Sequence, residues 1–500
     1  MRRLRKLLIA NRGEIALRII RTARTLGLAT VAVYSDADAG APHTIAADEA
    51  IRIGPPEASA SYLNIDAILT AARTSAADAI HPGYGFLSER ADFARAVTEN
   101  GIVFVGPGAA SMAALGNKVA ARRLAIESGV PVVPGIDTAD ENSAAAFAAQ
   151  AGFPILIKAA AGGGGRGMRV VETAHDLAPA LEAAAREASA AFGDGSLFLE
   201  RYLAFPRHVE VQVLGDRHGK LIVLGDRDCS IQRRHQKIIE ESPAPGLSEG
   251  IRHRMAESAL RLFQAAGYFS AGTAEFLVEG DQFHFLEANT RLQVEHPVTE
   301  MRFGWDLVAE QLKVAAGDPL GDPPVPRGHA IECRIYAEDA EHGFQPDAGR
   351  IDYLSLPAGP GVRIDTHLMT GAEVSTWYDG MLAKLICWGV DREQARRRMI
   401  AALAEFSLLG VRNTASFLRD IMASQAFRAA SLSTRFLEQF FPNWRPDHAE
   451  IEIALIAAAL SVEGLLNAGP RNDRLASDAA DDRSRSPWAQ LPRFELWGRQ

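Results

Sequence analysis

The sequence has few cysteines, no long apolar run and no surplus of positive charge. Its three cysteines, Cys229, Cys333 and Cys387, lie far apart without a C-x-x-C pair, so they indicate neither a disulfide framework nor a cysteine-ligated zinc site. No apolar stretch is long enough to span a bilayer. The formal net charge of -9 argues against a general nucleic-acid or anionic-membrane surface, because both reward excess Lys and Arg. The default expectation is a protein of a reducing compartment, the cytoplasm.

The first hundred or so residues have the pattern of a small α/β domain. The stretch "KLLIANRGEIALRIIRTARTLGLATVAVYSDAD" predicts a strand, a turn at Gly13, an amphipathic helix and a second strand that ends near Asp36. Further strands are predicted at 78–80 and near Ile102. The first turn invites a dinucleotide interpretation, but it has one glycine where that fingerprint needs three. We therefore expect a doubly wound α/β domain and not a nicotinamide dehydrogenase.

In the rest of the chain, changes in residue pattern and composition indicate the domain boundaries. With 500 residues, 47% of them hydrophobic, the protein is too long for a single core. From Asn117 the pattern of helix, strand, glycine-rich loop and further strands predicts a second α/β or α+β unit. The Pro-rich stretch 317–328 precedes another strand-rich module, and the polar stretch 468–486 has a disorder-prone composition. The predicted domains are 1–115, 116–328, 329–446 and 447–500, the last comprising a helix, a flexible linker and the truncated start of a following module.

The segment "IKAAAGGGGRGMRVV" is a candidate phosphate-binding loop. It sets Lys158 at the end of an apolar strand, before a glycine run that includes Gly163, Gly164 and Gly165. Glycines let backbone N–H groups approach phosphate oxygens closely, although a flexible hairpin tip is the commoner fate of such a loop. The run is not a P-loop, because no G-K-[ST] follows it. Lys118, near the start of the helix "NKVAARRLAIESG", would in isolation be ordinary surface charge.

Carboxylates concentrate in a second candidate segment. The stretch "FLEANTRLQVEHPVTE" alternates polar and apolar residues over ten positions, which is the period of a strand. The polar face of that strand would present Glu287, Asn289, Arg291, Gln293 and Glu295. The overlapping "GTAEFLVEGDQFHFLEAN" predicts a hairpin that brings Glu275 near Glu287. Two carboxylates about 4 Å apart repel by roughly 4 kcal/mol at an effective dielectric near 20, so they need a proton or a cation between them.

Oxygen ligands of this kind suit Mg²⁺ that also holds nucleotide phosphates. For this segment alone, a structural sheet with one wet face is the alternative. The lysines and the glycine loop favour the nucleotide–Mg²⁺ interpretation, with Glu275, Glu287 and Asn289 as ligands. The basic stretch "SIQRRHQK" can present one positive face to the same site, or it can be a solvated edge strand that resists aggregation.

Several motifs together resemble one enzyme family. The stretches "IANRGEIALRI", "HPGYGFLSE", "GGGGRGMRVV", "RDCSIQRRHQK", "EANTRLQVEHPVTE" and "ECRIYAED" occur in this order. They resemble biotin carboxylase, an ATP-grasp enzyme and the first component of biotin-dependent acyl-CoA carboxylases, over about Lys6 to Phe441. The resemblance implies a multidomain α/β and α+β fold: a Rossmann-like N-terminal domain, a central ATP-grasp domain with a mobile lid at about 131–203, and a C-terminal domain that completes the site.

The resemblance also implies roles for individual residues. The residues implied to bind ATP are Lys118, Lys158, Gly163, Gly164, Gly165, Glu200, Leu203, His208, Gln232 and His235. The residues implied to bind Mg²⁺ or Mn²⁺ are Glu275, Glu287 and Asn289. Those implied to surround bicarbonate and biotin are Lys237, Arg291, Gln293, Val294, Glu295 and Arg334. Within that group Glu295 is the implied base, assisted by Arg291, Lys237 and Arg334.

The implied reaction is ATP- and bicarbonate-dependent carboxylation of carrier-linked biotin through carboxyphosphate. The implied partners are a biotin carboxyl carrier and a carboxyltransferase, with a homodimer or larger assembly expected and no nucleic acid or membrane. No A-M-K-M-like motif is present, so we expect a separate carrier or a portion of a longer subunit. The alternatives are another ATP-grasp ligase, of carbamoyl-phosphate or purine carboxylase type, and a nucleotide-binding regulatory subunit without catalysis. Three departures from the family pattern are Ala161, Asn117 and Arg201.

Overall fold

The computed structural model describes residues 3–136, 141–159, 168–446, 456, 459 and 460. By contacts the chain divides into two units, Met1–Trp444 and Arg445–Gln500. In the second unit residues 456, 459 and 460 are helical, and the rest of the predicted tail lies outside the described residues, as do the predicted loop glycines at 163–165. Everything that follows concerns the first unit. Among the described residues, no helix has the length and hydropathy needed to cross a bilayer.

The N-terminal segment forms a parallel sheet with helices on both faces. Its strands are β1 (Lys6–Ile9), β2 (Ala29–Ser35), β3 (Glu49–Gly54), β4 (Ala79–His81) and β5 (Val103–Phe104). Its helices are α1 (Gly13–Thr25), α2 (Pro42–Ala46), α3 (Ile65–Thr74), α4 (Ala91–Glu99) and α5 (Ala109–Gly116). The strand order is β3-β2-β1-β4-β5, and every neighbouring pair is parallel. The predicted doubly wound domain is therefore confirmed.

A glycine turn in this segment fixes the start of α1. Gly83 has φ +64°, and a Cβ there would lie 2.9 Å from Nδ2 of Asn11, so both the backbone conformation and the space favour glycine. The same Asn11 amide donates to the carbonyl oxygens of Pro82 and Tyr84, each at 2.7 Å. The motif "HPGYG" is thus tied to the residues that lead into α1.

The central segment contains a small sheet and part of a much longer one. Its first elements are α6 (Lys118–Glu127), β6 (Gly135–Ile136), α7 (Glu141–Ala151), β7 (Ile155–Ala159), β8 (Met168–Val171), α8 (Leu177–Phe192) and β9 (Leu197–Arg201). The strands among them form a sheet in the order β6-β9-β7-β8. The later elements are β10 (Arg207–Gly215), β11 (Leu221–Arg233), β12 (Gln236–Ser242), α9 (Glu249–Ala265), β13 (Ser270–Glu279), β14 (Gln282–Asn289), α10 (His296–Phe303) and α11 (Leu307–Ala316).

The C-terminal segment extends the long sheet. Its strands are β15 (His329–Tyr336), β16 (Glu338–Asp339), β17 (Gln345–Pro346), β18 (Gly349–Arg350), β19 (Tyr353–Ser355), β20 (Val362–Thr366), β21 (Glu373–Val374), β22 (Met381–Gly389) and β23 (Ser407–Leu409). Its helices are α12 (Arg392–Glu405), α13 (Ala415–Ala423), α14 (Gln425–Arg428) and α15 (Phe436–Phe440). The long sheet has the order β14-β13-β10-β11-β12-β15-β22-β20.

Strand alternation gives the long sheet one apolar and one polar face. In β10, Val209, Val211 and Val213 pack with α9 in an apolar core, so the intervening Glu210 points to the other face. In β15 and β22 the same alternation packs apolar residues into a core with α12 and α13, and turns Arg334 and Lys384 to the polar face. That face is itself buried, since Glu210 and Lys384 are 0% exposed. Charged groups held away from water need paired partners, so this face is where a polar site can form.

Candidate active site

A cavity at one end of the polar face gathers most of the predicted nucleotide residues. The residues predicted to bind ATP that line it are Lys118, Lys158, Glu200, His208, Gln232 and His235. Two predicted metal ligands, Glu275 and Glu287, line it as well. Lys158 forms a short ion pair with Glu200, and Nη1 of Arg122 lies 3.5 Å from the same carboxylate. Leu203, predicted to hold adenine, is buried just after β9 and does not line this cavity. Arg122 and Phe198 line it although the sequence analysis did not select them.

The predicted metal ligands occupy the β13–β14 hairpin that the sequence predicts. Glu275 and Glu287 are directly paired in its register, and Nδ2 of Asn289 donates to Oε1 of Glu275 at 2.8 Å. Glu287 is partly exposed in the cavity, and its Oε2 lies 3.5 Å from Nζ of Lys118. These side chains offer hard oxygen donors beside lysines suited to phosphate, so the donor set fits Mg²⁺.

The strand predicted to continue through Glu295 ends at Asn289. Residues 290–295 form an irregular loop, and Glu295 is the cap residue of α10, whose first turn contains Pro297. Proline favours the first turn of a helix and cannot donate to a strand ladder, so Pro297 is consistent with a helix starting at His296. The prediction of one continuous polar strand was wrong for Arg291, Gln293 and Glu295.

The loop nevertheless brings those side chains together with the hairpin. Nη1 of Arg291 donates to Oε1 of Gln293 at 2.6 Å, and its Nη2 donates to Oδ1 of Asn289 at 3.0 Å. Nε2 of Gln293 donates to Oε1 of Glu275 at 3.0 Å. Glu89, from the "HPGYGFLSE" motif, lies 3.0 Å from Nε of Arg291 and accepts from the Thr290 amide at 3.1 Å.

Lys237 is the centre of a buried ion cluster. Its Nζ lies 2.9 Å from Oε2 of Glu210, 2.8 Å from Oε1 of Glu275 and 2.8 Å from Oε1 of Glu295. Burial by itself would lower the pKa of Lys237, but the negative charges of Glu210, Glu275 and Glu295 raise it well above its ordinary value. Lys237 is therefore a permanent cation between carboxylates.

Glu295 connects this cluster to Arg334. Nη2 of Arg334 donates to Oε2 of Glu295 at 2.8 Å and forms a short ion pair with Glu240. Burial would raise the pKa of Glu295, but Lys237 and Arg334 together hold it well below its ordinary value. The carboxylate is thus ionised at neutral pH, which is the charge state that a general base requires.

A second cavity lies on the Arg334 side of the loop. Its lining includes Arg291, Val294 and Arg334, all selected from the sequence, together with aromatic residues. These aromatic residues are Tyr84, Phe86, Tyr336, Trp377 and Tyr378. Among the residues that the structure describes, the two cavities share no lining residue. Aromatic walls around a guanidinium suit an apolar ring system with one polar edge.

Comparisons with known proteins place the whole first unit in one group. Sequence models described as "Biotin carboxylase, N-terminal domain", "Carbamoyl-phosphate synthase L chain, ATP binding domain" and "Biotin carboxylase C-terminal domain" match residues 3–112, 117–322 and 332–439. The biotin carboxylase of a Nostoc species is 47% identical over 87% of this chain and 98% of its own. The mitochondrial methylcrotonoyl-CoA carboxylase subunit alpha of Glycine max is 48% identical over 88% of this chain, but this chain covers 61% of that subunit.

The fold comparison agrees. The biotin carboxylase domain of the 2-oxoglutarate carboxylase of Hydrogenobacter thermophilus superposes with a TM-score of 0.84 and 43% identity, over 88% of this chain and 98% of that one. That domain was crystallised as a dimer in complex with MgADP, ADP and bicarbonate.

Proposed function

The chain belongs to the biotin carboxylase family, and we propose from this that it uses ATP and bicarbonate to carboxylate biotin on a carrier protein. In this reaction a bicarbonate oxygen attacks the γ-phosphorus of ATP, and the bond to the bridging oxygen breaks to release ADP. The resulting carboxyphosphate splits into CO₂ and phosphate. Phosphate takes the N1′ proton of biotin, and the new bond forms between N1′ and CO₂.

The nucleotide occupies the first cavity in this proposal. Lys118 and Lys158, which line this cavity, hold the phosphates. To do so, Lys158 must either break its ion pair with Glu200 or contact Glu200 and the phosphate at the same time. Glu275, Glu287 and Asn289 would hold Mg²⁺, which would neutralise phosphate charge when bound. Nε2 of His208 lies 2.7 Å from Oε2 of Glu275, so it contacts one of the proposed metal-binding carboxylates. The loop glycines at 163–165 keep their predicted role over the phosphates.

Bicarbonate and biotin meet at the 290–295 loop. Lys237, Arg291 and Gln293 neutralise and orient bicarbonate, and Glu295 accepts its proton before attack. Arg334 stabilises the negative charge that develops on the ureido oxygen of biotin in the second cavity. Fixed cations aimed at developing charge in a dry site supply the largest part of a barrier reduction of this kind.

One observation carries the proposal. A chain of contacts runs from Glu275 in the nucleotide cavity through Lys237 and Glu295 to Arg334 in the second cavity. An enzyme that forms a reactive intermediate from ATP and hands it to a second substrate needs a connected site of this kind. A nucleotide-binding regulatory subunit needs no such connection.

The test is phosphate release from Mg²⁺-ATP by the purified chain, with and without bicarbonate and free biotin. Release that requires bicarbonate and is stimulated by biotin supports the proposal. Release stimulated by ammonia in place of biotin would instead identify a ligase of the carbamoyl-phosphate type. Binding of ATP without any bicarbonate response would contradict both.

The partners follow from the relatives. Members of the family named as carboxylase subunits lead us to propose a biotinylated carrier domain and a carboxyltransferase as partners, within a homodimer or larger assembly. The cytoplasm is the proposed location. The acyl-CoA that the assembly carboxylates is chosen by the carboxyltransferase and not by this chain.

A further inference from the structure

Lys384 is a fully buried lysine that the proposed chemistry does not use. It lies on β22, directly opposite Arg334 in the register with β15, and is 0% exposed. Its Nζ donates to the backbone carbonyl of Val294 at 3.0 Å and lies 3.1 Å from Oε1 of Glu14. A buried ion pair is weak evidence for stability, because taking both charges out of water can cost more than their attraction returns. A different reason for its presence is therefore needed.

Val294 supplies that reason, because it lies between two residues of the proposed site. Gln293 precedes it and Glu295 follows it, and all three belong to the loop outside regular secondary structure. A loop without ladder hydrogen bonds depends on individual contacts for its geometry. The bond from Lys384 to the Val294 carbonyl fixes the peptide from which Glu295 projects towards Lys237 and Arg334.

Glu14 completes the arrangement from the N-terminal segment. It lies in the first turn of α1 and is 4% exposed. Besides Lys384, its Oε1 accepts a short hydrogen bond from the Tyr84 hydroxyl, and Lys384 lies 5.6 Å from the Tyr84 ring centre. Both Glu14 and Tyr84 line the second cavity. Nearby charged groups include Asp365, whose Oδ2 lies 3.9 Å from Nζ of Lys384, and Arg363 beside it. The buried side chains of Glu332 and His296 also interact electrostatically with Lys384.

We propose that Lys384 and Glu14 are positioning residues, which fix the Val294 peptide on one side and the Tyr84 wall on the other. The proposal rests on the proposed function, since it assigns these residues to the alignment of bicarbonate, Glu295 and biotin. Three segments distant in sequence contribute to the arrangement, so packing of the N-terminal and C-terminal segments against the loop is part of building the site. Neither residue touches the reacting atoms.

The test separates alignment from stability with a double variant. Lys384→Met leaves Glu14 without its cation, but burial already raises the pKa of Glu14 to about 7 against the opposing effect of Lys384, so the carboxyl can take a proton. Glu14→Gln with Lys384→Met removes both charges and keeps the side-chain volumes, a change that is commonly neutral or stabilising for a buried pair. We expect a melting temperature at or above that of the wild type for the double variant.

Its catalytic constants should nevertheless fall. We expect kcat/KM for bicarbonate to drop by roughly 10²-fold, the cost of about 1 Å of misplacement, while KM for Mg²⁺-ATP stays within about twofold because the first cavity is untouched. Arg392→Met is the control: it removes one partner of the largely buried ion pair between Arg392 of α12 and Glu241 of β12 and should leave both constants unchanged.

Bicarbonate kinetics equal to wild type in a folded double variant would overturn the positioning role. Parallel loss of melting temperature and of both kinetic constants would overturn it too, because that pattern reports a structural pair. A wild-type chain without a bicarbonate response would instead remove the proposed function, on which this inference depends.

Discussion

At the scale of single residues, Glu295 is the side chain with the most specific electrostatic environment. Lys237 and Arg334 hold one carboxylate oxygen each, which keeps the group ionised and aimed between the two cavities. We predict that Glu295→Gln lowers bicarbonate-dependent phosphate release by about 10² to 10⁴-fold, the usual contribution of a general base. Binding of ATP, measured by calorimetry, should be retained.

The control for that variant is Glu310→Gln. Glu310 is also a buried carboxylate, but it pairs with Lys313 on α11, away from both cavities. Its substitution should leave turnover unchanged. Turnover by the Glu295 variant that equals wild type would remove Glu295 as the base.

A second residue-scale prediction concerns the metal ligands. Glu287→Gln replaces one carboxylate of the paired hairpin positions by a weaker neutral ligand, so the Mg²⁺ concentration for half-maximal turnover should rise by about tenfold, or roughly 1.4 kcal/mol. Glu279→Gln alters an exposed carboxylate on the same hairpin and should not change it. A Glu287 variant with the Mg²⁺ dependence of the wild type would contradict the assignment of Glu287 as a Mg²⁺ ligand.

The sequence analysis selected the residues proposed to bind the substrates, but it did not select the buried charged residues that contact them or their loop. Glu210 and Lys384 lie between apolar neighbours in "VEV" and "LAKLIC", where alternation shows only that they face away from those neighbours. Glu14 lies in the first turn of α1, where the local sequence indicates no partner for it. Their partners are set by the strand order β14-β13-β10-β11-β12-β15-β22-β20, which is not sequential. Such a pairing is a tertiary property, and local pattern carries no signal for it.

At the scale of secondary-structure elements, the β11–β12 turn is strained where it meets the nucleotide cavity. Arg234 and His235 have φ of 49° and 66°, a left-handed conformation that costs an ordinary residue roughly 1 kcal/mol. His235 lines the cavity. A two-residue turn of this type ordinarily selects Asn or Gly, so the sequence "RRHQ" gives no hint of it. The left-handed backbone conformation of His235 therefore occurs at a position whose side chain lines the first cavity.

We predict that His235→Gly raises the melting temperature, by the equivalent of about 1 kcal/mol, and also raises KM for ATP. The matched control is Arg234→Gly, which relieves the same conformational cost without removing a cavity residue. It should raise the melting temperature and leave KM for ATP unchanged. A lower melting temperature in both variants would contradict the assignment of strain.

A second element-scale prediction concerns the junction of β12, β15 and α12. Glu241 accepts from Nε2 of His329 at 2.7 Å and from Nε of Arg392 at 2.6 Å. Burial would raise the pKa of Glu241, but these partners lower it to about 2. A carboxyl whose folded pKa lies below the unfolded value of about 4.3 contributes its full stability above that value and loses it as the pH falls towards 2.

Glu241→Gln should therefore lower the free energy of unfolding by on the order of 3 kcal/mol at pH 7. The difference from wild type should shrink as the pH falls below about 4, where the wild-type group begins to lose its advantage. Denaturant titrations at pH 7, 5 and 3 measure it, with Glu249→Gln, a 95% exposed side chain, as the control. A difference that is constant across this range would show that the charge of Glu241 is not what stabilises the junction.

Elements were easier to predict than their limits. The β13–β14 hairpin, the parallel N-terminal sheet and the helix that begins at Lys118 all follow from periodicity and turn residues. The end of β14 does not, because polar–apolar alternation continues through a loop and into a helix start. Pro297 indicates the start of α10 but does not locate the end of β14 at Asn289.

At the scale of the whole molecule, the predicted boundary near residue 328 falls inside a continuous sheet. β12 precedes that boundary and β15 follows it, yet the two strands are paired from Ile239–Cys333 to Ser242–Ala330. Residues 1–444 accordingly form one compact unit by contacts. Backbone hydrogen bonds therefore join residues on the two sides of the predicted boundary, and the division into domains 116–328 and 329–446 stays a prediction.

The separation of the two cavities by the 290–295 loop affects how many ATP molecules the proposed reaction uses for each biotin that it carboxylates. If the proposed function holds, ATP is consumed whenever bicarbonate is present, whether or not a carrier covers the second cavity. With that cavity open to solvent, CO₂ escapes and each escape wastes one ATP. The ratio of phosphate released to biotin carboxylated should therefore exceed one with free biotin and approach one when a carrier domain covers the opening. The number of ATP molecules used per carboxylated biotin would then depend on how well the carrier fits this chain, whereas the rate of bicarbonate-dependent ATP cleavage would depend on this chain.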